Sequence, residues 1–222
     1  MGIEWFFGAF PYSFNDYVER NGYHTPYGNV DKNCGHRYID IPIRYQRDIY
    51  ARDYTAYSIE KAGAKSEDVI ITSDADEIIN PLILQNMDWF DGSNHYVGLQ
   101  RTFYYKLNVL REEDWMGSRI CNWFKLKDTS VDQLRQSHQD SYRIEQGGWH
   151  WSYFGNVKTI EQKLKACADS HHGSEDLPEM VDMGKDPVGR SDLYGAVPID
   201  DSFPEYIRNN QEKYSNLIKP WN

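Results

Sequence analysis

The chain has 222 residues, of which 40% are hydrophobic and 26% are charged. These values are typical of a soluble globular protein rather than a disordered or membrane protein. The formal net charge of −10 disfavours a general affinity for nucleic acid, because binding to the phosphate backbone needs a basic surface. No linker or internal repeat divides the sequence, so we predict a single domain over residues 1–222.

The expected compartment follows from the cysteines and from the hydropathy. Cys34, Cys121 and Cys167 are widely spaced and odd in number, which fits buried thiols in a reducing compartment better than a disulfide framework. No stretch approaches the roughly 18 apolar residues of a membrane span, and the first ten residues lack the features of a signal peptide. We therefore expect a cytoplasmic protein without a membrane span.

The first predicted elements are a strand, a helix and a second strand. Isoleucine alternates with other residues over 38–43, which predicts a strand, and the pattern over 45–62 is helical with a stop at Ala62-Gly63. Residues 68–72 (DVIIT) are rich in β-branched side chains and apolar on both faces, as in a buried parallel strand. Six further elements are predicted: short helix 81–87, strands 95–100, 103–109 and 119–127, helix 160–168, and helix 205–218.

An acidic segment, Asp74-Ala75-Asp76-Glu77, follows strand 68–72 after the single residue Ser73. In open α/β sheets ligands bind beyond the carboxyl ends of the strands. Asp74 and Asp76 are two residues apart, so an extended chain end can aim both carboxylates at one point. Such hard oxygen ligands suit Mg²⁺ or Mn²⁺, with diphosphate oxygens filling the remaining positions.

The acidic segment has two alternative interpretations. A calcium loop of the helix–loop–helix type needs Gly at its sixth position and Glu at its twelfth, where this chain has Ile79 and Gln85, so that interpretation is excluded. The second alternative is that the acids cap the helix that follows. Local pattern alone leaves this second alternative open.

A second candidate segment contains His150 between two tryptophans. Gly147 and Gly148 precede Trp149, His150 and Trp151. The glycines would let a ligand approach the backbone, and the two indoles would form a wall on which a sugar stacks. His150 is a candidate metal ligand or hydrogen-bond donor to a diphosphate. A structural histidine among aromatic residues is the alternative.

Basic side chains and a second histidine cluster complete the candidate site. Arg47 and Arg52 fall about one turn apart on the predicted helix 45–62 and suit a diphosphate, with a salt bridge to a neighbouring Asp48 or Asp53 as the alternative. Lys163 is a further cationic candidate. The pair His171-His172 lies near Glu175 and Asp176, and His171 is a candidate metal ligand unless this stretch is a solvated loop.

Several segments together resemble glycosyltransferase family 17. They are 46–48 (QRD), 68–78 (DVIITSDADEI), 148–153 (GWHWSY), 163–164 (KL) and 184–187 (GKDP). This is the family of the β-1,4-mannosyl-glycoprotein N-acetylglucosaminyltransferase that adds bisecting GlcNAc. The resemblance covers most of the chain, and its segments are specific together rather than singly.

The resemblance implies a GT-A-like nucleotide-sugar-binding fold, with a mixed, mainly parallel central sheet flanked by helices. It also implies a nucleotide-sugar donor, with a UDP-sugar expected, a Mn²⁺ or Mg²⁺ cofactor, and inversion at the anomeric carbon. Asp76 then corresponds to the direct metal ligand and Asp74 to a ribose or water-mediated contact. Glu77 corresponds to the family's third acidic position and is a catalytic candidate.

The predicted reaction moves a sugar, GlcNAc being one candidate, to a hydroxyl of a glycan or other acceptor. Asp114 and Glu145 are the candidate bases that would remove the proton from that hydroxyl. A nucleic-acid acceptor is disfavoured by the charge. A non-catalytic carbohydrate-binding protein and a metal-dependent phosphoesterase remain alternatives. The residues before Glu4 are too few for the apolar strand with which a GT-A fold normally opens.

Overall fold

The computed structural model describes the backbone of residues 43–127, 129–137, 141–166, 177–187 and 194–221. Chain contacts divide the protein into two compact units. The first contains the described residues up to Thr72 together with Phe90–Tyr96 and Arg119–Tyr142, and the second contains Ser73–Trp89, Val97–Ser118 and the described residues from Arg143 onward. Helices and strands are interspersed along the chain, so the fold is of the mixed α/β class that the sequence predicted.

The helices and strands have the following bounds. In chain order they are α1 (Ile43–Lys61), β1 (Val69–Thr72), β2 (Glu77–Ile79), α2 (Leu82–Gln85), β3 (Tyr96–Tyr104), β4 (Val109–Arg111), β5 (Trp115–Asn122), α3 (Trp123–Lys127), α4 (Val131–Gln136), β6 (Tyr142–Ser152), α5 (Val157–Ala166), α6 (Leu177–Met183), β7 (Tyr194–Ala196) and α7 (Glu205–Arg208), followed by a 3₁₀ turn at Ser215–Leu217.

In the first unit, α1 confirms the predicted helix over 45–62. The helix ends where expected: Gly63 has a φ of +86°, and the N–H of Ala64 donates back to the carbonyl of Ile59 at 3.4 Å. A residue without a Cβ adopts this left-handed conformation without strain. The helix packs against α4. The buried cluster of this unit is Ala56, Cys121, Trp123, Leu126, Val131 and Leu134.

The strand β1 lies where it was predicted, but the expectation that it is parallel and buried is wrong. It pairs antiparallel with β5, from Val69 opposite Asn122 to Thr72 opposite Arg119. Val69 and Ile71 are 40% and 37% exposed, whereas Ile70 packs on the buried cluster. The apolar run therefore reflects the preference of β-branched residues for strands, with only one face covered.

The second unit contains most of the sheet. Within it, β3 lies between β5 and β4, β7 follows β4, and β6 pairs with β3 and β2. The defined registers place Ile78 opposite Trp149, Phe103 opposite Leu110 and Leu110 opposite Gly195. All four pairings with a defined register are antiparallel, so the predicted predominance of parallel pairing is not found among them.

Several predicted boundaries are wrong. The predicted strand 119–127 ends at Asn122, because its side-chain oxygen accepts the N–H of Lys125 at 2.9 Å and starts α3. The predicted strands 95–100 and 103–109 correspond to one strand, β3, and the start of β4. The predicted helix 205–218 is only the single turn α7, followed by turns. Residues 38–42 lie outside the described part of the chain, and Ile43 begins α1 instead of ending a strand.

Two apolar clusters form the core of the second unit. One consists of Tyr104, Tyr105, Tyr153, Ile160, Leu164 and Leu177, and the other of Phe103, Trp149 and Phe203. Many of the aromatic residues in the composition therefore serve as core. Among the described helices, none has both the length and the apolar character that crossing a membrane requires.

Candidate active site

The acidic segment forms a tight turn between β1 and β2 that is closed by two hydrogen bonds. The backbone N–H of Glu77 donates to the carbonyl of Asp74 at 3.0 Å, and the N–H of Asp74 donates to Oε2 of Glu77 at 3.2 Å. Glu77 begins β2 and is buried, and its other oxygen accepts the indole N–H of Trp115 at 2.7 Å. The Glu77 carboxylate therefore fixes the turn that presents Asp76.

The pairing of β2 with β6 brings His150 next to Asp76. Glu77 is opposite His150 in the ladder, and the backbone N–H of Trp151 donates to the carbonyl of Asp76 at 3.0 Å. Across this pairing, Nε2 of His150 lies 3.6 Å from Oδ2 of Asp76. Residues separated by 74 positions in sequence are thus placed side by side by the sheet.

Lys163, on α5, completes a polar cluster around Asp76. Its Nζ donates to Oδ2 of Asp76 at 2.6 Å and to Oγ of Ser152 at 2.8 Å. The Ser152 hydroxyl in turn donates to the same Asp76 oxygen at 3.4 Å. The ammonium also lies 4.8 Å from the centre of the Tyr153 ring, within the range of a cation–π contact. We call Asp76, His150, Ser152 and Lys163 the Asp76 cluster.

The Asp76 carboxylate is ionised in this setting. Burial raises its pKa, but the hydrogen-bonding and charge contributions of His150 and Lys163 outweigh burial and hold the pKa well below the ordinary value of 3.8. The side chain is still 30% exposed. The cluster therefore combines a carboxylate and an ammonium that a ligand from solvent can reach.

His150 has an unusual environment for a buried side chain. It is 7% exposed, and its Nδ1 has no hydrogen-bond partner among the residues that the structure describes. The ring of Trp115 packs beside it with centroids 5.2 Å apart. Buried polar atoms in folded proteins nearly always have a hydrogen-bond partner. Nδ1 of His150 is therefore an atom with which a bound ligand can form a hydrogen bond. Its predicted role as metal ligand or diphosphate donor stays a prediction.

Of the two predicted stacking tryptophans, Trp149 is buried and Trp151 is half-buried. Trp149 is 8% exposed and donates its indole N–H to the carbonyl of Ser202 at 2.9 Å. Trp151 stacks on Phe103 and donates to the carbonyl of Leu107 at 3.1 Å. The described contacts of the two indoles are ring packing and hydrogen bonds to backbone carbonyls. The sugar-stacking role predicted for Trp149 and Trp151 stays a prediction.

The predicted cationic residues on α1 belong to the first unit. Arg52 forms an ion pair with Asp132 at 3.0 Å. A salt bridge was the alternative for Arg52, and this one is made with Asp132. The donor-binding role of Arg52 stays a prediction. The side chain of Arg47 lies outside the described part of the structure, as does all of the segment containing His171. The donor-binding prediction for Arg47 and the metal prediction for His171 therefore stay predictions.

The two candidate bases are both exposed. Asp114 immediately precedes β5, and Glu145 lies on β6. Neither is among the residues described as contacting Asp76. Asp74 is partly exposed, and its backbone N–H is bound by Glu77. The roles predicted for these three carboxylates remain predictions.

The described residues do not fit a divalent ion held by the protein alone. No group of three or more His, Cys, Asp or Glu side chains that could hold a metal occurs in the described ranges. The nearest set is Asp76 with His150, and the Asp76 oxygen facing His150 already accepts an ammonium at 2.6 Å. The Mn²⁺ or Mg²⁺ expected from the sequence therefore stays a prediction.

Sequence reasoning missed two members of this region. Ser152 is two residues after His150 on the same strand, and a period of two places both on one face. This period would have indicated Ser152 if residues 142–152 had been predicted as a strand. Trp115 carried no local signal, because only the pairing of distant strands brings its indole to Glu77, 38 positions away.

Comparison with protein families identifies the family of this chain. The model of glycosyltransferase family 17 matches residues 13–218, which is most of the chain. No curated protein matches the chain significantly, and no solved structure does so either.

Proposed function

Because this chain belongs to glycosyltransferase family 17, we propose that it transfers a sugar from a nucleotide-sugar donor to a hydroxyl of a glycan or other acceptor. The proposed donor is a UDP-sugar, and GlcNAc is the first sugar to test. The proposed arrangement is GT-A-like, with the Asp76 cluster as the donor end of the site. The observation that carries this proposal is the hydrogen bond between Lys163 and Asp76 on the turn that ends at Glu77.

The proposed reaction is a single in-line displacement that inverts the anomeric carbon. An acceptor oxygen forms the new bond to this carbon as the bond to the diphosphate oxygen breaks, and the electron pair leaves with the nucleoside diphosphate. A carboxylate base takes the acceptor proton, and Asp114 and Glu145 are the candidates. Lys163 and His150 are the described groups near Asp76 that can stabilise the charge growing on the leaving diphosphate.

Glu77 has a positioning role in this proposal. Each of its two carboxylate oxygens accepts an N–H, from Trp115 at 2.7 Å and from Asp74 at 3.2 Å. Both oxygens of this buried carboxylate are therefore engaged in hydrogen bonds to the turn and to β5. Glu77 thereby keeps the turn in the shape that places Asp76 beside Lys163.

The decisive test is transfer from a panel of nucleotide sugars by wild type and by Asp76→Asn. We expect a transfer product with at least one donor, and a loss of roughly 100-fold or more in Asp76→Asn, a magnitude typical of removing an electrostatic contact in a site. Asp88→Asn is the matched control, because Asp88 is an exposed aspartate of the same unit. It should transfer like wild type.

Two outcomes would overturn the proposal. If Asp76→Asn retained full transfer activity, the Asp76 cluster would have no role in the reaction. Binding of glycans without any binding or turnover of nucleotide sugars would indicate a carbohydrate-binding protein instead. Thermal stabilisation by each nucleotide sugar reports donor binding separately from turnover, because a ligand that binds only the native state raises the melting temperature.

A further inference from the structure

The ammonium of Lys163 is bound directly to one oxygen of the Asp76 carboxylate. Its ammonium is 2.6 Å from Oδ2 of Asp76 and 2.8 Å from Oγ of Ser152. The hydroxyl of Ser152 bonds to the same Asp76 oxygen. One carboxylate oxygen thus already accepts two donors, with the imidazole of His150 3.6 Å away.

The neighbouring residues hold Lys163 in place. Tyr153 is buried and adopts a φ of +51°, an unusual conformation for a tyrosine, and its ring faces the ammonium at 4.8 Å. Leu164, the next residue on α5, is buried in the apolar cluster that also contains Tyr153. Core packing holds both α5 and the end of β6 in position. The backbone of Lys163 is therefore fixed at a place from which its ammonium reaches Asp76.

Binding of an ammonium and a divalent ion to the same carboxylate oxygen is energetically unfavourable. Both are cations that would sit within a few ångströms of each other, and the repulsion between them falls only slowly with distance in a partly buried site. A divalent ion also needs several oxygen ligands. The described residues of the cluster supply one carboxylate and one hydroxyl, and Lys163 bonds to both.

Lys163 also keeps some capacity for an anionic ligand. An ammonium has three N–H donors, and its hydrogen bonds to Asp76 and Ser152 use two of them. The side chain is 39% exposed. A phosphate oxygen arriving from solvent can therefore reach the ammonium without breaking the contact with Asp76.

We propose that Lys163 takes the place of a divalent cation on Asp76, so that metal and lysine compete for this carboxylate and the donor diphosphate is bound by the lysine without metal. The first half of this proposal stands on the geometry of the cluster alone. The second half, which concerns the diphosphate, rests on the proposed function.

The test of the first half uses Mn²⁺ alone, without nucleotide. Titration of Mn²⁺ followed by electron paramagnetic resonance should show weak binding to wild type, and binding about tenfold tighter to Lys163→Met, in which the competing charge is gone. In the double variant Asp76→Asn/Lys163→Met, the gain in Mn²⁺ affinity should be abolished. Lys163→Arg keeps the charge and should bind Mn²⁺ as weakly as wild type.

Lys165→Met is the matched control for the lysine substitutions. It removes an exposed lysine two residues away on α5 and should bind Mn²⁺ like wild type. Circular dichroism and thermal unfolding establish that each variant is folded. Equal affinity of wild type and Lys163→Met for Mn²⁺ would overturn the competition between lysine and metal.

The second half is tested by calorimetric titration with UDP in EDTA and in Mn²⁺. Wild type should bind in EDTA, whereas Lys163→Met should bind at least about tenfold more weakly in EDTA and recover with Mn²⁺. Binding to wild type only with Mn²⁺ would overturn this half. Absence of UDP binding in both buffers would count against the proposed function, while the Mn²⁺ titration alone would still decide whether lysine and metal compete.

Discussion

The indole N–H of Trp115 donates to Oε1 of Glu77 at 2.7 Å, and the other oxygen of the same carboxylate accepts the backbone N–H of Asp74. Glu77 thereby joins the start of β5 to the acidic turn. Trp115 also packs beside His150, with ring centroids 5.2 Å apart. One buried carboxylate therefore holds together the elements on which the proposed donor site is built.

Replacing Glu77 by glutamine should destabilise the protein without removing side-chain volume. An amide offers one accepting oxygen and one NH₂ group, so one of the two N–H donors, from Trp115 or Asp74, loses its acceptor. We expect the free energy of unfolding to fall by about 1–3 kcal/mol, the usual cost of leaving a buried donor unsatisfied. Urea denaturation of wild type and Glu77→Gln measures the change.

A double-mutant cycle isolates the Glu77–Trp115 bond. The losses in Glu77→Ala and Trp115→Phe should be less than additive in the double variant, because alanine removes the acceptor and phenylalanine removes the donor of the same bond. Trp89→Phe is the control, since its indole N–H bonds to the carbonyl of Ile83. Its effect should add to that of Glu77→Ala. Strict additivity in both cycles would contradict the positioning role of Glu77.

Gly148 is required by the close approach of β2 and β6. Its φ is +151°, and a Cβ at this position would lie 2.1 Å from the carbonyl oxygen of Ile78. The neighbouring Gly147 is crowded in the same way by Gly98. The sequence suggested that these two glycines make room for a ligand. In the structure they make room for the backbone of the neighbouring strands.

We expect Gly148→Ala to lower the free energy of unfolding by about 3 kcal/mol, since it combines backbone strain with overpacking against a backbone atom. Gly195→Ala is a control on β7, because a Cβ at Gly195 meets nothing within 4 Å. That variant should stay within about 0.5 kcal/mol of wild type. Similar stabilities of the two variants would be incompatible with the observed pairing of β2 and β6.

The parts of the fold that the sequence predicted are those determined by local patterns. The end of α1 at Gly63 follows from the conformational freedom of glycine, and the strand Val69–Thr72 follows from its β-branched residues. The direction of that strand was wrong, because direction depends on which distant segment pairs with it. No pattern within β1 identifies Asn122 as the partner of Val69.

The candidate site shows the same division. The acidic turn was recognised from its place after a strand, and Asp76 is at the centre of the observed cluster. The specific bond to Lys163 was not predicted, since the two residues are 87 positions apart and meet only through the packing of α5. The strand β6 was missed because Gly147 and Gly148 break its apolar alternation.

The buried Asp53 in the first unit should make stability depend on pH. Burial raises the pKa of this carboxyl from 3.8 to about 6, although the N–H of Asp132 opposes the rise. Oδ1 accepts that N–H at 2.9 Å, whereas Oδ2 has no hydrogen-bond partner within the described part of the chain. The folded state therefore binds the Asp53 proton more tightly than the unfolded chain does.

The sign of the effect follows from the raised pKa. The stability contributed by Asp53 is fully present below pH 3.8 and is lost as the pH rises through about 6. At most roughly 3 kcal/mol is involved, at about 1.4 kcal/mol for each pKa unit. Asp53→Asn cannot ionise, so its stability relative to wild type should increase between pH 4 and pH 7.

Chemical denaturation of wild type and Asp53→Asn at several pH values measures this difference. The exposed Asp88→Asn variant serves as the control and should follow the wild-type profile. If the difference between Asp53→Asn and wild type is constant from pH 4 to pH 7, Asp53 does not titrate with a raised pKa in the folded protein.

The identity of the catalytic base can be decided between two exposed carboxylates. Asp114 and Glu145 both lie in the second unit with the Asp76 cluster, and their exposure means that conversion to amides should leave the fold intact. Removal of a general base lowers kcat by about 10²–10⁴-fold. We expect this loss in one of Asp114→Asn and Glu145→Gln, with KM for the nucleotide sugar little changed, because the base contacts the acceptor hydroxyl rather than the donor.

Glu161→Gln provides the matched control for this pair, since Glu161 is an exposed carboxylate on α5 in the same unit. Its kcat should equal that of wild type. In the variant that loses activity, donor binding measured by thermal stabilisation should persist, which separates loss of proton transfer from loss of the site. Wild-type kcat in both Asp114→Asn and Glu145→Gln would exclude both residues as the base and would require another carboxylate to receive the acceptor proton.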